Sequence, residues 1–268
     1  MPSLYAHNKF GKLVIPKLPT DIKKTIKKYP DSFRIGLQGP DFLFFYKAVY
    51  KNSVNQKGVY YHHHDNYPFM EHAVNVIKEY GINSPQYSYI LGFICHFVLD
   101  NACHPYVNKF MEITGCGHVE IEGDLDQLIL SSEDFQPECY PMHLLIPATK
   151  DTAKSIQPFY TDMTTETVYS CLKWMKFIKK FFVSPSVSKR SIINLILHMT
   201  LHYRRLNGHI IMPTANKKCR QQTKFLYKIL KNSVSEAVDF IENFNDTVNG
   251  NSVLTNKFHK DFNGTKYN

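Results

Sequence analysis

The sequence predicts an all-α protein, a multi-helix bundle. Three observations carry that expectation. Apolar residues recur with the helical period in several long segments, no alternating strand pattern of useful length appears, and no internal repeat of fixed period is visible. With 268 residues, 43% of them apolar and 14% aromatic, the chain has ample core for one large domain and lies outside the disordered class.

Residues Met1–Lys12 form a short segment that carries His7 and ends near Gly11. Thr20 reads as the N-cap of a helix through Lys28, stopped by Pro30. Gly36, Gly39 and Pro40 then make a turn into the buried run Phe42-Leu43-Phe44-Phe45-Tyr46. The glycine spacing is not a phosphate-cradling loop, because no Gly-Lys-Ser/Thr follows. Asp41, at the head of that run, is either an ordinary cap or a metal ligand.

Next come His62-His63-His64-Asp65, and only one of the three histidines is expected to face a given site. Pro68 suits a first helical position, with Phe69, Ala73, Val74 and Ile77 as an apolar stripe up to Gly81; His72 on this helix reads as structural. Ser84-Pro85 opens a long helix that Pro105 is expected to end. A helix beginning at His118 runs to about Leu130. Residues 131–158, with four prolines, read as a long loop in which His143 packs.

Three further helices have the 3.6-residue period: Thr165–Val183, Ser186–Arg205 and Thr223–Phe244. His198, His202 and His209 form a weaker metal pattern with no accompanying carboxylate, set against a surface role. From Asn245 the chain is polar, so the expected organisation is a single helical domain over residues 1–245 and a loosely held tail over 246–268.

The chemistry concentrates between Cys95 and Asp126. His96, Asp100 and His104 follow at intervals of four in the most apolar stretch, and His118 with Glu122 repeats the spacing on the next helix. Residues four apart share a helix face. Imidazole nitrogens and carboxylate oxygens on facing helices are the donors zinc accepts at about 2.0–2.2 Å. A lone histidine in an apolar helix is ordinarily a satisfied core residue. Five metal-capable groups so close together are not, since a carboxylate such as Asp100 beside Phe97, Val98 and Leu99 carries a heavy desolvation cost unless it is paired. The expectation is a zinc cluster between helices.

Composition narrows the setting. The six cysteines show no CxxC pair and read as free thiols of a reducing compartment; Cys95 and Cys103, adjacent to candidate ligands, point off the ligand face. The longest apolar run is too short to span a bilayer, and the first residues lack the apolar core of a secretory signal, so a cytoplasmic location is expected. The net charge of +9 is uneven. Residues 1–150 hold 14 Lys/Arg against 15 Asp/Glu, and residues 151–268 hold 18 against 8. A basic half of this kind suits an anionic membrane surface or nucleic acid, with the plain reading that Lys173, Lys176, Lys179 and Lys180 are the solvated face of a helix.

Taken together, the opening Met1-Pro2-Ser3-Leu4-Tyr5-Ala6-His7, the segment Gly36-Leu37-Gln38-Gly39-Pro40-Asp41, the run Gly92-Phe93-Ile94-Cys95-His96-Phe97-Val98-Leu99-Asp100 continuing to Cys103-His104-Pro105-Tyr106, and His118 with Glu122 resemble the zinc-dependent phospholipase C family. Its helical fold is shared with zinc-dependent single-strand nucleases. The resemblance covers roughly residues 1–130 and implies two to three zinc ions. Asp41, one of His62, His63 and His64, His96 and Asp100 would hold one ion; His104, His118 and Glu122 a second; His7, a bridging Asp100 and the terminal amino group a third. Secreted members begin with a processed tryptophan, whereas this chain begins Met1-Pro2. Phe42, Tyr60 and Tyr61 are candidates for walls of an aromatic headgroup pocket.

The ligand set fits hydrolysis of a phosphodiester, with Asp41 or Glu122 accepting the proton of the attacking water. The leading expectation is a phospholipase C-type hydrolase acting on a phospholipid. The alternatives are a nuclease for single-stranded nucleic acid, which would use the same cluster, and a non-catalytic protein stapled by zinc.

Overall fold

The computed structural model describes residues 3–199 and 206–267. Among them the chain is helical, with a single isolated antiparallel bridge between Lys260 and Lys266 and no named strand. In chain order the helices are α1 (Leu4–Val14), α2 (Thr20–Lys28), α3 (Pro30–Gly36), α4 (Ser53–His62), α5 (Tyr67–Tyr80), α6 (Pro85–Thr114), α7 (His118–Ser132), α8 (Lys150–Ile156), α9 (Thr165–Phe182), α10 (Val187–Met199), α11 (Arg220–Asn232) and α12 (Val234–Val248). A five-residue 3-10 turn, Asp41–Phe45, joins the α3 end to the rest. None of these helices is long and apolar enough to cross a membrane.

Helix α6 is the axis of the bundle. Ser84 caps it, accepting a hydrogen bond from the Tyr87 amide at 3.1 Å, and every residue from Gln86 to Asp100 is buried. A helix that is apolar on all sides must be enclosed by others. Helices α1, α3, α5, α7, α11 and α12 all pack on it. The closest approach is made by α3, where glycine is required on both sides. A methyl group on Gly92 would lie 2.3 Å from the Phe33 carbonyl oxygen, and one on Gly36 would lie 2.1 Å from that of Tyr89. The two backbones therefore touch, which brings the Leu37–Asp41 segment against the middle of α6.

Three expectations change, and one lies partly outside the described residues. Pro105 does not end α6, which continues to Thr114. An interior proline forfeits one backbone hydrogen bond, and packing on both sides holds the helix together: Val107 is buried beyond it, and Phe110 and Met111 pack on the core. Residues 131–158 are not structureless, since Thr149 caps the short helix α8 by accepting from the Thr152 amide at 3.1 Å. The segment expected as one helix over 223–244 is two, α11 and α12, separated at Ser233, whose hydroxyl donates to the Ile229 carbonyl at 3.0 Å. Helix α10 is described as far as Met199; the remainder of the expected Ser186–Arg205 helix lies outside the described residues.

The largest correction concerns the tail. Leu254, Phe258 and Phe262 are buried and belong to the same continuous core as Leu4. Phe262 inserts among Phe93 and Phe97 of α6, with ring centroids 5.9 and 5.4 Å away. Asn101 of α6 donates to the Asp261 carbonyl at 2.8 Å. Beyond the end of α12, residues 249–267 are thus a docked strap. Its polar composition concealed three apolar anchors spaced four apart, which suffice to hold it.

Candidate metal centre

Five chain segments deliver the predicted side chains to one buried volume. Helix α6 projects His96, Asp100 and His104 from successive turns of one face; α7 adds His118 and Glu122; α1 adds His7; the 3-10 turn and the end of α4 add Asp41 and His62. His7 Nε2 lies 3.1 Å from Asp100 Oδ1, His96 Nε2 3.2 Å from Asp100 Oδ2, and His104 Nε2 3.6 Å from Asp100 Oδ1. His62 Nε2 is 2.9 Å and His96 Nε2 3.8 Å from Asp41 Oδ1, while Glu122 Oε1 is 3.4 Å from His104 Nε2 and 3.1 Å from His118 Nε2. Three groups of donors lie close enough to hold an ion: His7, His96 and Asp100; Asp41, His62 and His96; His104, His118 and Glu122.

Three of the five rings are aimed by backbone carbonyls. His62 Nδ1 donates to the Gly58 carbonyl at 2.7 Å, His96 Nδ1 to that of Leu37 at 3.2 Å, and His104 Nδ1 to that of Phe262 at 2.8 Å. A carbonyl only accepts, so the neutral ring keeps its proton on Nδ1 and presents the Nε2 lone pair to the cluster. Gly39 completes the arrangement around His96. Its φ is +48°, and a methyl group there would fall 2.1 Å from the ring.

Asp126 positions the first helix. It continues the α7 face one turn beyond Glu122 and accepts from the Ser3 hydroxyl at 3.1 Å and the amides of Tyr5 and Ala6 at 3.1 and 2.8 Å. Those are among the unsatisfied donors at the start of α1, so Asp126 both caps that helix and sets where His7 enters. Sequence reading overlooked it, although His118, Glu122 and Asp126 form a single i, i+4 series.

Electrostatics favour a cation. Three carboxylates, Asp41, Asp100 and Glu122, are buried together. Burial opposes their charged forms, yet neighbouring positive charge holds all three below the usual carboxylate range: His104, His96 and His7 around Asp100, His118 and His104 around Glu122, and His96 with His62 among the charges around Asp41. Burial lowers His96, whereas for His104 the carboxylates Asp100 and Glu122 outweigh burial and raise it to about 9. Nε2 of His62, His96 and His104, Asp100 Oδ2 and Glu122 Oε2 are buried without a hydrogen-bond partner among the described residues. Within each group the donor atoms lie within 4.8 Å of one another, close enough to share an ion, and several of them lack the hydrogen bonds that a purely polar network would supply. The residues present fit zinc.

Of the His62–His64 run only His62 reaches the cluster. His63 and His64 are exposed; His63 Nδ1 contacts Asn263, and His64 stacks on Tyr60 at 3.8 Å. Phe42 is fully buried, edge-on to Tyr160, and cannot wall an open headgroup pocket; Tyr61 is half-buried and Tyr60 exposed. His72 donates to or accepts no group of the cluster and meets the Pro158 carbonyl at 3.0 Å. His198 and His209 enter none of the three donor groups, and His209 stacks on Phe182; His202, Met1 with its amino group, and Pro2 lie outside the described residues. Lys179 departs from the solvated face expected for it. It is buried, 5.6 Å from the Phe45 ring centroid, and burial lowers its ammonium to about 8 against the pull of Asp126, Asp41 and Glu122. All six cysteines are unbridged.

No curated protein and no solved structure matches this chain significantly. A family profile does: zinc-dependent phospholipase C, over residues 6–182. The match spans more than half of the sequence and contains every side chain of the three donor groups, from His7 to Glu122. A helical bundle whose buried histidines and carboxylates are poised around common points, coinciding with that profile, leads to one assignment: the chain belongs to the zinc-dependent phospholipase C family.

Proposed function

We propose that the protein hydrolyses the phosphodiester of a phospholipid on the glycerol side, releasing the phosphorylated headgroup, at a centre of two to three zinc ions held by His7, Asp41, His62, His96, Asp100, His104, His118 and Glu122. The observation that supports this most directly is the close grouping of buried donors, among which Nε2 of His62, His96 and His104, Asp100 Oδ2 and Glu122 Oε2 have no hydrogen-bond partner among the described residues. Zinc bound there would supply Lewis acidity toward a phosphoryl oxygen and acidify the attacking water.

The side chains divide the remaining work. Asp100, within 3.6 Å of three histidines, would hold the metal together with them, and its negative charge would offset repulsion between neighbouring cations. Asp41 and Glu122 are the candidate proton acceptors, since both are held below the usual carboxylate range, Glu122 by His118 and His104 and Asp41 by surrounding positive charge that includes His96 and His62. His118 is the ligand side chain that retains exposure, at 26%, so substrate reaches the centre from its side. The carbonyls of Gly58, Leu37 and Phe262 keep the rings from turning during turnover.

The test is metal analysis of the purified protein together with hydrolysis of a phospholipid, a single-stranded oligonucleotide and a soluble phosphodiester side by side. Two or more zinc ions per chain and release of phosphorylated headgroup are expected. Cleavage of the oligonucleotide alone would make the protein a nuclease. A zinc-loaded protein inactive on all three would leave the metal as a structural staple.

A further inference from the structure

We propose that the hairpin of α9 and α10 is the surface by which the protein docks on an anionic phospholipid bilayer. Helix α9 carries two parallel stripes that run from the edge of the core, where Trp174 is partly buried, out to solvent. Trp174, Phe177 and Phe181 stand at i, i+3 and i+7, and Lys173, Lys176 and Lys180 repeat that spacing one residue earlier. Trp174 and Phe177 meet edge to face at 6.1 Å, with Phe177 62% and Phe181 40% exposed. Helix α10 rests on the adjoining flank of α9, its Ile193 and Leu197 packed with Phe182 and Ile178. It then turns Val187, Ile192, Leu195 and Met199 outward, each more than half exposed. A helix that directs more apolar bulk to solvent than to its own core marks an interaction face.

Charge identifies the occupant. From residue 167 to residue 235 the sequence contains no Asp or Glu and fourteen Lys or Arg. Aromatic side chains flanked by lysines suit the boundary of a bilayer, where rings and stems enter the acyl region and ammonium groups remain among anionic headgroups. A second copy of this chain would bring like charge against like. Nucleic acid could stack on the rings and pair with the lysines, but it offers nothing to the aliphatic side chains of α10.

This inference deepens the phospholipase reading by naming how the protein reaches its substrate, and its test separates the two. Trp174 is the one tryptophan in the chain, so its fluorescence reports on this face. The intact zinc-loaded protein is mixed with vesicles of phosphatidylglycerol and phosphatidylcholine, or of phosphatidylcholine alone, and hydrolysis of a soluble phosphodiester is measured in parallel. With the anionic vesicles, Trp174 emission should move to shorter wavelength and become protected from iodide. The double substitution Phe177→Ser and Phe181→Ser should lower vesicle partitioning about tenfold or more. Lys173→Gln with Lys176→Gln and Lys180→Gln should remove the preference for anionic lipid. The side chains changed are exposed apart from the partly buried Lys176, none belongs to the three donor groups, and both variants should retain soluble-substrate hydrolysis.

Unchanged partitioning in both variants overturns the docking surface. So does a Trp174 shift that depends on protein concentration without lipid, which would mark self-association, or one produced by single-stranded DNA and not by vesicles. Loss of phosphodiester hydrolysis with vesicle binding intact would instead remove the phospholipase reading and leave the docking surface standing.

Discussion

Replacing Phe262 with alanine asks whether the C-terminal strap is part of the fold and of the metal centre. The ring is fully buried, with centroids of His62, Phe97, His96 and Phe93 at 4.8, 5.4, 5.5 and 5.9 Å. Emptying such a site costs about 3–5 kcal/mol, the lost transfer free energy plus the cavity left behind. That is a large part of the roughly 5–15 kcal/mol that holds a domain together. The same residue's carbonyl accepts from His104 Nδ1 at 2.8 Å, so loosening the strap frees a ligand ring; loss of such a supporting contact lowers metal affinity about 10–100-fold. Urea unfolding followed by circular dichroism in the presence of chelator gives the first quantity without a contribution from bound metal. Competition with a chromophoric chelator gives the second. A polar, loosely held tail would predict a stability change within about 0.5 kcal/mol. If both the unfolding midpoint and zinc affinity matched those of the unaltered protein, the strap would not be docked as described.

Asp100→Asn should lower zinc content and abolish phosphodiester hydrolysis while helical content by circular dichroism stays near that of the unaltered protein; full zinc and full activity would exclude Asp100 as the bridging ligand. Gly39→Ala should destabilise by more than the roughly 1–2 kcal/mol of left-handed strain and reduce bound zinc, because the new methyl group displaces His96. Gly81→Ala, at φ +81° with nothing within 4 Å of the added methyl, is the control that shows strain alone. In zinc-free protein His104 is raised from 6.5 to about 9. Its contribution to stability is then fully present below 6.5 and lost as pH rises through about 9, a fall of about 3 kcal/mol at most across that window. Zinc binding at pH 7.5 must displace that proton, so calorimetry in two buffers of different ionisation enthalpy should record close to one proton released from this ring; a heat independent of buffer would contradict it.

Much of the centre was legible in the sequence because it is locally encoded. His96, Asp100 and His104 share a face of α6, and His118 and Glu122 a face of α7, by helical spacing alone. The 3.6-residue periods likewise located α5, α9 and the start of α10 to within a few residues. Where the expectation failed locally, as at Pro105 and Ser233, a residue with a strong or weak breaking tendency was overruled or reinforced by what packed around it. Other features needed the tertiary structure outright. Which histidine of the 62–64 run turns inward follows from the Gly58 carbonyl and the end of α4, and the Asp126 cap of α1 joins residues 120 to 123 positions apart. The Phe262 carbonyl that aims His104 is 158 residues away from it, and Asn263, which donates to the His62 carbonyl, is 201 away. Periodicity records which face of a helix is apolar, because that depends on neighbours one turn along. It carries no record of which distant carbonyl a ring nitrogen meets, since that is decided only when helices separated by most of the chain close around α6.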